Sequence, residues 1–169
     1  MRVDEMSLLK KKAMICCFGV ILIIGFVIAY FAAQDSYDGE MPLVEIQYED
    51  VSGQIKSKNI GLHGCDWTYE ESAEQEAFTE KIEYHLTDSN VKLIEAQVNV
   101  NTVIHVYIAY KEKPSRIVIK SFDENTVEDY TKGKIVAENE TSIVGVPGQI
   151  YAIELEFREN RVMYAFKCT

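Results

Sequence analysis

The sequence predicts a mainly β protein, with an N-terminal transmembrane helix followed by an antiparallel, Ig-like β-sandwich that carries one short helix. Three observations carry this expectation. Residues 13–33, "AMICCFGVILIIGFVIAYFAA", run for 21 positions without a charge, which matches the roughly 20 needed to cross a ~30 Å hydrocarbon core as a helix. From Leu43 onward, apolar residues recur with period two in segment after segment. Turn signals such as "KEKPS", "VPGQ" and "RENR" separate those segments.

Taken in order, residues 1–12 form a basic leader with Arg2, Lys10, Lys11 and Lys12, whereas the far side of the apolar run opens with Asp35, Asp38 and Glu40. The positive-inside rule therefore places the leader in the cytoplasm and the rest of the chain outside, as a single-pass protein of the cell membrane. The run is longer than the apolar core of about 7–15 residues in a signal peptide, and it lacks a clean A-x-A site, so an uncleaved anchor is expected. Cys16 and Cys17 lie at its beginning, where neither serves as a lipid-attachment cysteine. Gly25, Ala29 and Ala33 recur every four residues and put small side chains on one helix face, a spacing that lets two spans pack and self-associate.

Residues 34–41, "QDSYDGEM", read as a polar stalk, and residues 42–169 as one extracytoplasmic domain. "LVEIQY" and "QIKSKNI" open it as two short strands around Ser52 and Gly53. "ESAEQEAFTEKIEYHL", rich in Glu, Ala and Gln with Phe78, Ile82 and Leu86 at i, i+4 and i+8, is the expected helix, although Ile82, Tyr84 and Leu86 also alternate as in a strand. In "VIHVYIAY", Ile104, Val106, Ile108 and Tyr110 share one face, opposite Val103, His105, Tyr107 and Ala109. So apolar a strand is expected to be central and covered on both sides, with His105 a hydrogen-bonded core residue. "RIVIKSF" follows the Pro114 turn and pairs with it. Last comes a hairpin in which Tyr151, Ile153, Leu155 and Phe157 face the core, as do Val162, Tyr164, Phe166 and Cys168.

Charge restricts the partners. The chain has 17 basic and 27 acidic residues, and the leader holds four of the former and two of the latter, which leaves 13 and 25 outside. A domain this acidic repels phosphate backbones, so nucleic acid is not an expected partner.

The stretch "GLHGCDWTYE" gathers His63, Cys65 and Asp66 beside Trp67. A nucleophilic cysteine needs a base and an electropositive setting. Asp66 and the acids from Glu70 onward work against that by raising the thiol pKa. The competing expectation is a disulfide between Cys65 and Cys168, the two cysteines outside the span, both flanked by aromatic residues. His63, His85 and His105 are too widely spaced to form a recognisable metal set, and "FDENTVED" and "QDSYDGE" lack the order of a calcium loop. No phosphate loop, G-x-S-x-G elbow or H-E-x-x-H occurs, and no cofactor is expected. A pair of carboxylates for glycoside hydrolysis stays open among so many acids.

"GLHGCDW", "VIHVYI", the Pro-containing turn before "RIVIKSF", and "GQIYAIELEF" with "VMYAFK" resemble small exported domains of Gram-positive bacteria, found as lipoproteins or anchored proteins. The resemblance implies an exported β-sandwich and transfers no catalytic residue. The leading expectation is a membrane-anchored module that binds a protein or another envelope component without catalysis. The alternatives are an envelope hydrolase or thiol enzyme built on His63, Cys65 and Asp66, and a regulatory or sensory subunit that acts through a membrane partner.

Overall fold

The computed structural model describes residues 41–69, 76–87, 92–123 and 125–169. The leader, the span with Gly25, Ala29 and Ala33, and nearly all of the stalk lie outside the described residues. Among the described residues no helix is long and apolar enough to cross a membrane. Residues 39–169 form one compact unit.

Among the described residues eleven strands make two sheets. One contains β1 (Leu43–Glu49), β2 (Ile55–Asn59), β6 (Val103–Ala109) and β9 (Ser142–Val144), in the order β2-β1-β6-β9 with every pair antiparallel. The other contains β3 (Leu62–Tyr69), β4 (Phe78–Ile82), β5 (Ile94–Ala96), β7 (Arg116–Phe122), β8 (Lys134–Glu138), β10 (Ile150–Phe157) and β11 (Asn160–Cys168). Its order is β4-β3-β11-β10-β7-β8, and β5 runs parallel to the end of β11. The mainly β expectation thus holds, in a sandwich of four and seven strands where an immunoglobulin constant domain has seven in all.

Alternation explains the packing between the sheets. Val44, Ile46 and Tyr48 of β1 and Ile104 and Val106 of β6 meet Trp67, Tyr151, Ile153, Leu155, Val162 and Phe166 in a single core. At one end Trp67, Tyr110 and Phe157 pack edge to face, with centroids 5.1–5.7 Å apart. The Tyr164 hydroxyl donates to the Pro42 carbonyl and fixes the start of β1 against β11.

Three expectations are corrected. Within the described part of the expected helix, Phe78 to Ile82 form a strand and pair with Tyr69 to Cys65. Cross-strand hydrogen bonds and the stacking of Phe78 on Tyr69, 4.3 Å between centroids, outweigh a weak local preference for helix. β6 is central but covered on one face only, so His105 is exposed rather than a core residue. The expected pairing of "VIHVYIAY" with "RIVIKSF" does not form, because β6 pairs with β1 and β9 in one sheet and β7 with β10 and β8 in the other. The far face of the seven-stranded sheet carries a second apolar cluster of Leu86, Phe122, Ala152, Met163 and Ala165.

Candidate functional site

The β3 strand disperses the three reactive side chains expected to act together. Gly64 pairs with Met163 and Leu62 with Tyr164, so His63 is the extra residue of a β-bulge. His63 Nδ1 donates to the His85 carbonyl at 3.1 Å, and the His85 N–H donates to the His63 carbonyl at 3.2 Å. Because a carbonyl only accepts, this contact puts the proton on Nδ1. Asp66 forms an ion pair with Lys81 at 3.6 Å at the solvent. Cys65 points the other way, into the core, with its thiol 3.8 Å from the Glu80 carbonyl. Burial pushes that thiol up, a backbone hydrogen bond at Ile82 opposes the shift, and the charges of Glu80 and Asp66 add to it. The result is a protonated, enclosed thiol with its carboxylate neighbour aimed elsewhere.

The disulfide expectation also fails, for a reason of register. Cys65 pairs with Val162 of β11, and Cys168 lies six residues further along the same strand. Six residues of strand span about 20 Å, whereas a disulfide requires Cα atoms within about 7 Å. Both cysteines are free and buried. Cys168 sits in a dry corner where burial, opposed by a backbone hydrogen bond at Val146, pushes its thiol up to about 12. Among the described residues no group of three or more His, Cys, Asp or Glu side chains is placed to hold a metal ion.

One open feature of the described residues lies on the outer face of the four-stranded sheet. A groove of about 440 Å³ runs over β1, β2 and β6 and is closed at one end by the loop from Asn99 to Thr102. Its polar lining comprises Gln47, Glu49, Asn99, Asn101, Thr102 and His105, its aliphatic lining Ile55, Val100 and Val103, and Tyr48 adds an aromatic side chain. The register sets Gln47 opposite both Ser57 and His105 and aligns Glu49 with Ile55. Gln47 is held in place, because its Oε1 accepts from the Tyr107 hydroxyl at 3.2 Å and its Nε2 donates to Ser57 Oγ at 3.5 Å.

Two built turns shape the walls. In the β1–β2 turn, Asp50 Oδ1 accepts from Ser52 N, Ser52 Oγ and Gln54 N at 2.8, 2.6 and 3.0 Å. The Ser52 hydroxyl and these amides, with Lys56 nearby, hold its carboxyl down at about 2. Gly53 there has φ +80°, a region that L side chains avoid. On the opposite wall Thr102 N donates to the Asn99 carbonyl at 3.1 Å, and Asn101 adopts a left-handed φ of 71°. Asparagine tolerates that conformation better than most residues because its short polar side chain bonds locally.

A second polar assembly borders the second apolar cluster. Lys120 Nζ lies 2.6 Å from Glu154 Oε1 and 4.2 Å from the centre of the Tyr130 ring. The Tyr130 hydroxyl donates to the same carboxylate, and its ring packs on Phe122 and Tyr84. Burial together with the negative charge of Glu154 pushes the Tyr84 phenol up to about 12 and raises that of Tyr130 as well. Lys120, Glu154 and Tyr130 are committed to one another, which suits a fastening more than a site.

Sequence reasoning passed over the groove because its walls come from segments far apart in the chain. The signal open to it was the polar turn "NVNT", residues 99–102, set between two apolar strands. Comparison with protein-family models, curated proteins and solved structures finds no match.

Proposed function

We propose that this chain is a single-pass, membrane-anchored protein of the exported type its sequence resembles, with a cytoplasmic N-terminus and an extracytoplasmic β-sandwich that binds an envelope partner without catalysis. The observation that carries the binding role is the groove over Gln47, Ile55 and His105, a concave surface between two braced turns, within the about 300–1,000 Å³ typical of ligand sites. The uncharged run at 13–33 supports the anchor. The thiol-enzyme alternative loses its support, since Cys65 is enclosed and Asp66 is spent on Lys81.

The test is site-specific photo-crosslinking in intact cells, with the photoreactive residue at Val100 on the groove rim or at Lys113 in a remote turn. A discrete adduct from Val100 and none from Lys113 is expected. Equal labelling from both positions, or none from either, would contradict the binding role.

A further inference from the structure

We propose that the groove takes a neutral glycan bearing acetamido groups, an inference that rests on the binding role just given. Four features of the groove select this class. First, its polar lining is dominated by side chains that carry both a donor and an acceptor: the amides of Gln47, Asn99 and Asn101, the Thr102 hydroxyl and the His105 imidazole. Hydroxyl and amide groups on a sugar also donate and accept, so each can be matched without burying an unpaired charge.

Second, no lysine or arginine lines the groove and one carboxylate, Glu49, does. A phosphate or carboxylate ligand would have to enter against that charge with no cation to receive it. Third, Ile55 and Val103, 65% and 47% exposed, offer aliphatic contact, whereas Tyr48, also in the lining, is 2% exposed and belongs to the core. Such a surface fits the methyl of an acetamido group and the C–H edge of a pyranose.

Fourth, most of the strand residues that line the groove belong to β1 and β6, while β2, which lends Ile55, is the outer strand of the sheet. The backbones of β1 and β6 are paired on both sides, β1 between β2 and β6 and β6 between β1 and β9. An extended peptide bound as an added strand gains its affinity from main-chain bonds at a free edge. Over β1 and β6 recognition comes from side chains, as suits a sugar.

The experiment uses the full chain in detergent micelles and isothermal titration with a tetramer of N-acetylglucosamine. Saturable binding is expected, weakened roughly tenfold by Gln47→Ala and by Asn99→Ala, as befits the loss of one or two hydrogen bonds. Unchanged thermal melting of both variants ties that loss to the groove, and Gln47→Ala, on an exposed strand face, serves if the turn variant misfolds. The deacetylated, cationic glucosamine tetramer is expected to bind more weakly. If it binds as well or better, attraction to an acidic domain explains the contact and the proposal is overturned. It is overturned too if the acetylated tetramer does not bind. In either case the Val100 crosslink still decides the binding role independently: an adduct with a protein would keep that role and replace the ligand class.

Discussion

The ring of Tyr84 lies across the backbone of Gly64, so close that a Cβ at position 64 would stand 2.0 Å from Tyr84 Cδ1 and 3.0 Å from its Cα. Within "GLHGCDW" it is therefore the glycine, not the histidine or cysteine, whose identity the fold demands. Gly64 lets the segment after β4 fold back over the sheet, and Tyr84 and Leu86 then close the second apolar cluster. Gly64→Ala forces either the ring or the backbone to move and is expected to cost about 1–3 kcal/mol. Chemical denaturation measures this, and a change below a few tenths of a kcal/mol would show that Tyr84 is not seated there.

Lys120 and Glu154 are the next point of leverage. Their side chains are 18% and 19% exposed, and Tyr130 engages both. A double-mutant cycle with Lys120→Met and Glu154→Gln is expected to give a coupling energy of about 1 kcal/mol, since each single change leaves the other group half buried without its opposite charge. Strict additivity would contradict the contact.

The free thiols make a direct chemical prediction. Cys65 and Cys168 are enclosed and their thiols are held protonated, so both are expected to react slowly with a thiol reagent in the native protein and quickly in denaturant. Peptide mapping is expected to recover both as unlinked thiols. A Cys65–Cys168 linked peptide would contradict the β3–β11 register.

Alkaline pH should loosen the fold. Tyr84 is raised from 10.0 to about 12, and Cys168 from 9.0 to about 12. In the unfolded chain these groups ionise near their ordinary values, whereas the native state keeps them neutral. Their contribution is therefore complete below about pH 9 and is lost as pH rises toward 12. Thermal melting across that range is expected to fall less steeply for the Tyr84→Phe, Cys168→Ala double variant than for the native chain. Parallel curves would contradict the assignment.

How far the molecule could be read from its residues depended on the range of the interactions. Ile104, Val106, Ile108 and Tyr110 share a face as expected, as do Tyr151 to Phe157 on alternate positions, because period two is a local property of a strand. β4 departs from the expected helix because its preference for helix is local, whereas the decisive partner is a separate strand, β3. Pairing Cys65 with Cys168 used composition alone; the six residues that separate them along β11 are a matter of register. His105 followed the same logic: alternation identified its face, but whether a second layer covers that face depends on how many strands lie opposite. The groove assembles two turns about fifty residues apart and so had no single stretch to announce it.

The proposed binding role places the partner on the outer face of the four-stranded sheet. Hydrogen exchange of the full chain in micelles, with and without solubilised envelope material, tests it most directly. The predicted result is new protection confined to the β1–β2 turn, residues 99–103 and β6. Protection on the Lys120–Glu154 side instead, or at neither face, would contradict it.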